Sequence, residues 1–297
     1  MAEEHPLRGV MLMLAALFCF ALLDATSKHL SQTYAVPLLV WARYTLHFLI
    51  MVLFLAPSMR WKLVATRRPL MQVVRAMLLV AVTGLAMAAF RVMPLAEATA
   101  LLFVTPLFVA LLAGPLLGEQ VGPLRWLALV AGFAGTLLIA RPGSGLSLEG
   151  IGYAMTAAAC YCLYQIQTRQ LSPTENTLTM LFYTALVGTV VMTLGLPWFW
   201  NPSLPPPADA LMIASLGLYG GTGHFLLIRA FRHARASTLS PFLYTQLIWA
   251  TLLGWGIYGQ LPDTLAFGGM GIIAGGGLIV ALAESRRIAP GTRTGNR

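Results

Sequence analysis

Shifted by 141 residues, the chain matches itself: Ala89-Phe90-Arg91 falls on Ala230-Phe231-Arg232, and Gly9, Cys19, Gly118 and Gly135 fall on Gly150, Cys160, Gly259 and Gly276. The register needs no gap, since Phe18-Cys19-Phe20 faces Ala159-Cys160-Tyr161 and Leu137-Leu138-Ile139-Ala140 faces Leu278-Ile279-Val280-Ala281. Leucine coincidences weigh little in so apolar a chain; the Ala-Phe-Arg triplet and the glycines carry the inference of a tandem duplication. What one unit contains then fixes the architecture, because an odd number of membrane spans per unit inserts the second copy upside down.

A chain of 297 residues that is 58% hydrophobic and 10% charged, with a mean hydropathy of +0.76, is excluded from the soluble class. Apolar runs of about 20 residues suffice to cross a hydrocarbon core of about 30 Å. They centre on 9–30, 36–57, 70–90, 95–117, 123–141, 150–170, 177–199, 209–230, 236–258 and 263–284. The third is the least clean, because Gln72 and Arg75 sit in its first turns. The expected fold is an all-α integral membrane protein with ten transmembrane helices in a 5+5 inverted repeat. Its first five-helix unit covers residues 1–146, its second 147–288, and a disordered C-terminal tail 289–297.

Lys and Arg accumulate on cytoplasmic loops. With both termini inside, that side collects Arg8, Arg60, Lys62, Arg67, Arg68, Arg125, Arg169, Arg229, Arg232, Arg235, Arg286, Arg287, Arg293 and Arg297, and the other keeps Lys28, Arg91 and Arg141. The segments Asn201–Asp209 and Gln260–Asp263 hold no Lys or Arg, as external connections should. The net charge of +9 is thereby read as topology. The cations are dispersed over helix ends and form no groove, so no nucleic-acid partner is expected. The lipid bilayer and a small-molecule substrate are the expected partners. The first span is followed by further spans, which argues against a cleavable signal peptide.

Cys19, Cys160 and Cys162 lie in apolar runs with no C-x-x-C pairing, and read as small buried residues rather than redox or metal groups. No phosphate loop of the G-x-x-x-x-G-K-[ST] type is present. Gly143-Ser144-Gly145 follows Pro142 in a connection, where a turn explains it. His29, His47, His224 and His233 make no H-E-x-x-H pair. No enzyme, cofactor or metal site is expected, and binding and conduction remain.

The stretch Met93-Pro94-Leu95-Ala96-Glu97-Ala98-Thr99-Ala100, with Thr105-Pro106-Leu107-Phe108-Val109 and Leu116-Leu117-Gly118-Glu119, resembles the fourth helix and following turn of bacterial EamA-type transporters of the drug/metabolite transporter superfamily. The resemblance covers about residues 8–285 and implies ten helices, internal termini, short loops and a place in the bacterial inner membrane. The second copy departs from the pattern: Tyr244-Thr245-Gln246-Leu247 stands opposite Phe103-Val104-Thr105-Pro106. That polar insertion makes the bacterial aromatic amino-acid exporters a comparison within the group.

An alternating-access carrier binds near the bilayer midplane with helices that break or bend. Pro106, Pro241 and the run Gly220, Gly221 and Gly223 before His224 are the hinge candidates; simple kinking or close packing is the alternative. The glycines Gly268, Gly269, Gly271, Gly275, Gly276 and Gly277, with Gly132 and Gly135 in the first repeat, read as a packing scaffold. A monomer is favoured over a homodimer, since the bundle itself uses that surface.

Polar groups inside a membrane are costly and mark sites or internal partners. Asp24 and Lys28, spaced i,i+4, become Gln165 and Arg169 in the second copy; they read as a structural ion pair or as coupling groups. Glu97 opens the fourth helix, where a cap fits its charge, with a proton carrier as the other reading. Arg43, matched by Thr184, reads as an anchor. The counterparts of the family's cavity helices supply the substrate-site candidates Tyr161, Gln165, His224, Tyr244 and Gln246, with Thr105 and Phe90 as wall residues. Amides, hydroxyls and an imidazole suit the polar ends of an amino acid, and aromatic faces suit its side chain. The expected function is export of small organic metabolites by alternating access, with amino acids, aromatic ones included, as the leading class. A passive channel or facilitated pore, and after it an intramembrane enzyme, are the alternatives.

Overall fold

Without water to satisfy N–H and C=O groups, a lipid-embedded chain must close its hydrogen bonds within each segment, and the apolar runs fold accordingly as helices. The computed structural model describes residues 6–105, 108–109, 112, 123–141, 145–171, 174–200, 205–233 and 239–288. They form α1 (Pro6–Ser31), α2 (Val36–Met59), α3 (Pro69–Val92), α4 (Leu95–Leu102), α5 (Pro123–Ile139), α6 (Leu148–Leu171), α7 (Thr177–Phe199), α8 (Pro207–His233), α9 (Thr245–Tyr258) and α10 (Thr264–Ile288). Two 3-10 segments add to these, Arg60–Leu63 after α2 and Ser240–Tyr244 before α9. The C-terminal segment expected to be disordered, 289–297, lies outside the described residues.

The principal packing partners obey one exchange rule, in which α1 to α5 trade places with α6 to α10. Thus α1 lies on α8 as α6 lies on α3, α2 on α8 as α7 on α3, and α1 on α9 as α6 on α4. The pairs α2 with α7, α4 with α9 and α5 with α10 each map onto themselves and straddle the axis. This is the arrangement of an inverted repeat, and the first helix of each unit is inserted among helices of the other.

By length and composition, five described helices can cross a membrane: Leu7–Ser31, Val36–Leu63, Pro69–Val92, Thr177–Phe199 and Pro207–Leu227. The outward faces are apolar, with Leu53 and Phe54 on α2 and Val130 and Phe133 on α5 all at least 60% exposed. Water would penalise such faces, whereas acyl chains accept them.

The α5–α10 pair shows what the scaffold glycines do. A Cβ on Gly135 would sit 2.7 Å from the Gly269 carbonyl oxygen, and one on Gly269 would sit 2.6 Å from that of Gly135. Small residues therefore let two backbones touch, which in lipid is the main source of helix association. At one end of this pair Arg141 donates to Asp263 Oδ2 at 2.5 Å, while Asp263 Oδ1 accepts from the Ala266 backbone N–H at 2.8 Å. Both bonds favour the ionised form; the backbone bond, followed by the guanidinium, holds the Asp263 carboxyl below its ordinary range.

Loops are tied down at both ends of the bundle. Tyr34 donates to Asp209 Oδ2 at 2.6 Å, joining the α1–α2 turn to the start of α8. At the other end Glu175 accepts from the Arg67 backbone N–H at 3.0 Å and from Gln72 Nε2 at 3.4 Å.

Candidate functional site

Two of the ten expected spans are interrupted, at equivalent residues. α4 ends at Leu102 and turns through Phe103 and Val104, where the sequence suggested one helix over 95–117. In the second repeat Ser240–Tyr244 is 3-10 and the α-helix begins at Thr245, where one helix over 236–258 was expected. Adding 141 to Phe103 gives Tyr244, so the breaks coincide. Pro241 lies within the 3-10 turn, whereas Pro106 falls outside the described residues.

Side chains after each break reach the first helix of the other unit. Gln246 donates to Asp24 Oδ2 on α1 at 3.0 Å. Its counterpart Thr105, 1% exposed, donates to Leu102 O at 2.7 Å and to Ala158 O on α6 at 3.3 Å. Gln246 is thus an amide bonded to a carboxylate, while Thr105 fastens the first break to α6. Tyr244 meets Phe103 with ring centroids 5.5 Å apart and points its hydroxyl at Gly277 of α10, where no Cβ would fit. It serves as a wall between the breaks and the scaffold.

Asp24 and Lys28 do not form the ion pair expected from their spacing. Lys28, 5% exposed, directs its ammonium to the end of α3, donating to Phe90 O at 2.9 Å and Met93 O at 2.6 Å, with the Tyr258 ring 5.3 Å away. A cation at a helix C-terminus satisfies carbonyls that have no partner in the helix. Phe90, expected as a wall residue, is itself core, 2% exposed. The Lys28 end also holds a cavity of about 360 Å³ lined by Gln32, Arg91, Tyr258 and Gln260. Glu97 in the first turn of α4 is 6% exposed, and its Oε2 has no hydrogen-bond partner.

On the α1, α2 and α8 side, α8 runs unbroken through its glycines. A Cβ on Gly217 would lie 2.4 Å from Leu46, on Gly223 2.6 Å from Phe20, and on Gly220 3.5 Å from Arg43 Nε. The glycines at 220, 221 and 223, read as a hinge or as packing, act in this conformation as contact positions that draw α1 and α2 inward. His224 stacks on His47 at 6.2 Å with planes 6° apart and meets the edge of Phe20 at 5.0 Å.

The related side, built by α6, α7 and α3, has a different cation. Arg75, 1% exposed, donates to Tyr164 Oη at 3.0 Å, Thr168 Oγ1 at 3.4 Å, Thr184 Oγ1 at 2.8 Å and the Met180 carbonyl, and lies over the Tyr164 ring at 5.0 Å. Tyr161, 36% exposed, stacks on Tyr164 at 5.6 Å one turn away, and Gln165 follows on the same stripe, partly exposed.

Arg43, Arg75, His47 and Tyr164 are the residues that sequence reasoning did not place in the site. Their signal was present: Arg43 and Arg75 are intramembrane cations whose repeat counterparts are Thr184 and Leu216. Among the described residues no group of three His, Cys, Asp or Glu side chains could hold a metal.

Comparison with known proteins agrees with this geometry. The model of the "EamA-like transporter family" matches residues 7–141 and again 148–282, two segments offset by 141. The chain is 30% identical to a riboflavin transporter of Rhizobium johnstonii over 292 residues, 94% of this chain and 92% of the relative. It is 30% identical to the pseudopaline exporter of Pseudomonas aeruginosa over 285 residues, 92% and 93% of the two chains. It is 27% identical to an S-adenosylmethionine uptake transporter of Rickettsia prowazekii over 224 residues, 75% and 76% of the two. A crystal structure 19% identical in sequence shares the fold, with a TM-score of 0.63 over 93% of this chain and 99% of that one.

Proposed function

The chain belongs to the EamA-like transporter family, and from that premise we propose that it exports amino acids, aromatic ones included, across the bacterial inner membrane by alternating access. The observation that carries the reading is the matched interruption at Phe103 and Tyr244, because paired broken helices on a repeat axis supply a binding site and a pivot together. The Phe20 ring meets His224 on one side of the fold, Tyr161 stacks on Tyr164 on the related side, and the Gln246–Asp24 pair adds polar groups, a combination suited to a molecule with one apolar and one polar end. The named cargoes of relatives are small polar metabolites, and one, S-adenosylmethionine, is an amino-acid derivative. One relative is named for uptake and another for export. We assign export on the resemblance to amino-acid exporters, together with a monomeric carrier whose termini are cytoplasmic.

Purified protein in liposomes loaded with a mixed metabolite pool, followed by mass spectrometry with and without a pH gradient, tests the proposal. Saturable amino-acid efflux accelerated by substrate on the opposite side is the expected result. Flux that rises linearly with concentration without counter-flow would mark a pore, and a new chemical product would mark an enzyme.

A further inference from the structure

Among the described residues, the charged groups of the membrane interior do not balance through direct ion pairs. Arg75 is enclosed and its outward nitrogens are engaged by neutral oxygens, which removes it from direct exchange with a ligand. Arg43 differs. It is only partly buried, lies 5.8 Å over the Tyr44 ring, and among the described residues donates no hydrogen bond. A guanidinium carries five donors in a planar fork, and leaving all of them unpaired within a bilayer is costly.

The acid on the neighbouring helix α1 is Asp24. The field of Arg43 reaches it, yet among the described residues no ion pair joins the two side chains. Asp24 Oδ2 is taken by Gln246, and Oδ1 accepts no hydrogen bond among the described residues. Helices α1, α2 and α8 converge here, since the space beside Gly220 is bounded by Arg43 Nε at 3.5 Å and Leu23 Cδ2 at 4.0 Å. A cation with free donors on α2 and an acid with a free oxygen on α1 thus lie where α1, α2 and α8 converge, each one turn from a member of the ring cluster formed by Phe20, His47 and His224.

We propose that Arg43 and Asp24 form a bipolar recognition site, in which the guanidinium takes a ligand carboxylate and the aspartate takes the same molecule's ammonium, so that α-amino-acid zwitterions are the ligand class. Fork and carboxylate match as a bidentate pair. An amino acid joins its two charged groups through one carbon, and its neutral sum leaves the membrane charge unchanged. The proposal rests on the carrier reading above and names the substrate class and the residues that select it.

The test uses the full chain in detergent micelles and three probes of one shape: L-phenylalanine, phenethylamine and 3-phenylpropanoate, with binding measured by calorimetry. Wild-type protein should bind phenylalanine about tenfold or more tighter than either single-charge probe. Arg43→Gln should weaken phenylalanine and phenylpropanoate by about tenfold while leaving phenethylamine within about twofold, and Asp24→Asn should give the mirror pattern. Arg43→Lys, which keeps the charge and removes the fork, should fall between and serves if Arg43→Gln fails to fold. Equal affinity for the three probes, no phenylalanine binding at millimolar concentration, or uniform weakening of all three by a variant would overturn the proposal. Saturable flux without this preference would remove the bipolar site and leave the carrier. The preference with unsaturable flux would do the reverse.

Discussion

Phe103 and Tyr244 hold the same position in the two repeats and meet with ring centroids 5.5 Å apart at an interplanar angle of 40°. Residues that the pseudo-two-fold exchanges can touch only on its axis, so this contact marks the centre of the fold. Each ring also ends a helical segment. The contact therefore joins the two places where backbone hydrogen bonding changes pattern.

The first prediction concerns the seat of Tyr244. A Cβ on Gly277 would lie 1.3 Å from the tyrosine oxygen and 2.1 Å from Cζ, so Gly277→Ala must displace the ring. Overpacking of this kind costs about 1–3 kcal/mol. We expect a lower unfolding temperature in detergent and slower transport. Tyr244→Ala removes the clashing group, so the double variant should be more stable than the two single effects summed. Additive losses would show that ring and glycine do not meet.

Prediction two addresses Lys28. Its ammonium satisfies two α3-terminal carbonyls at 2.9 and 2.6 Å in a buried setting. Charge-assisted bonds contribute about 1.5–3 kcal/mol each when their loss leaves an acceptor unpaired. Lys28→Met should lower stability by at least about 1.5 kcal/mol, with Lys28→Arg closer to wild type. Unchanged denaturation of Lys28→Met would exclude the capping role.

The duplication, helix count and scaffold glycines were legible in the sequence because apolar runs and small-residue spacing are local signals. The discontinuity at Phe103 was less so: the apolar run continues past it, and only the paired departure at Tyr244-Thr245-Gln246 hinted that both copies break there. Side-chain direction was not legible either. Asp24 and Lys28 share a helix and a four-residue spacing, yet one turns to Gln246 on α9 and the other to α3, because long-range helix packing offers each a better partner. The intramembrane arginines were visible as anomalies. Their division into an enclosed Arg75 and an open Arg43 depends on which neighbours the inverted repeat supplies.

That division gives a third prediction. Leu216 occupies the Arg75 position in the other repeat. Arg75→Leu removes a guanidinium that ties α3 to α6 and α7, leaving Tyr164 Oη without this donor. Leaving buried acceptors without their donor costs about 1–3 kcal/mol for each group left unsatisfied. Arg75→Leu should therefore be strongly destabilised, as measured by unfolding in detergent, whereas Arg43→Gln should stay near wild type in stability. Similar stability losses in the two variants would erase the distinction.

Topology supplies a fourth. Lys62 and Glu175 lie near one end of the bundle, where the Lys62 carbonyl accepts from Thr179, whereas Tyr34 and Asp209 join at the opposite end. With Cys19, Cys160 and Cys162 replaced by serine, single cysteines at Lys62 and Pro207 should react with a membrane-impermeant thiol reagent from opposite sides. The orientation proposed here puts position 62 inside. Labelling of both from one side would contradict the span count, and external labelling of position 62 would invert the orientation.

A fifth prediction follows from Asp263, in the turn before α10. Its carboxyl is held below the ordinary range by the Ala266 N–H and then by Arg141, so the folded state favours the ionised form. The sign follows directly. Stability from this group is complete above the carboxyl's unfolded pKa of about 4 and is lost as pH falls through its lower folded value. Asp263→Asn keeps a side-chain oxygen for the cap and loses the ion pair, whereas Asp263→Ala loses both. At neutral pH the unfolding temperature should fall in the order wild type, Asp263→Asn, Asp263→Ala. Below the folded pKa the gap between wild type and Asp263→Asn should close, because both side chains are then uncharged and the Arg141 contact no longer separates them. A gap that persists in acid, measured by thermal unfolding across a pH series, would show that the difference between the two does not come from the charge of the Arg141–Asp263 pair.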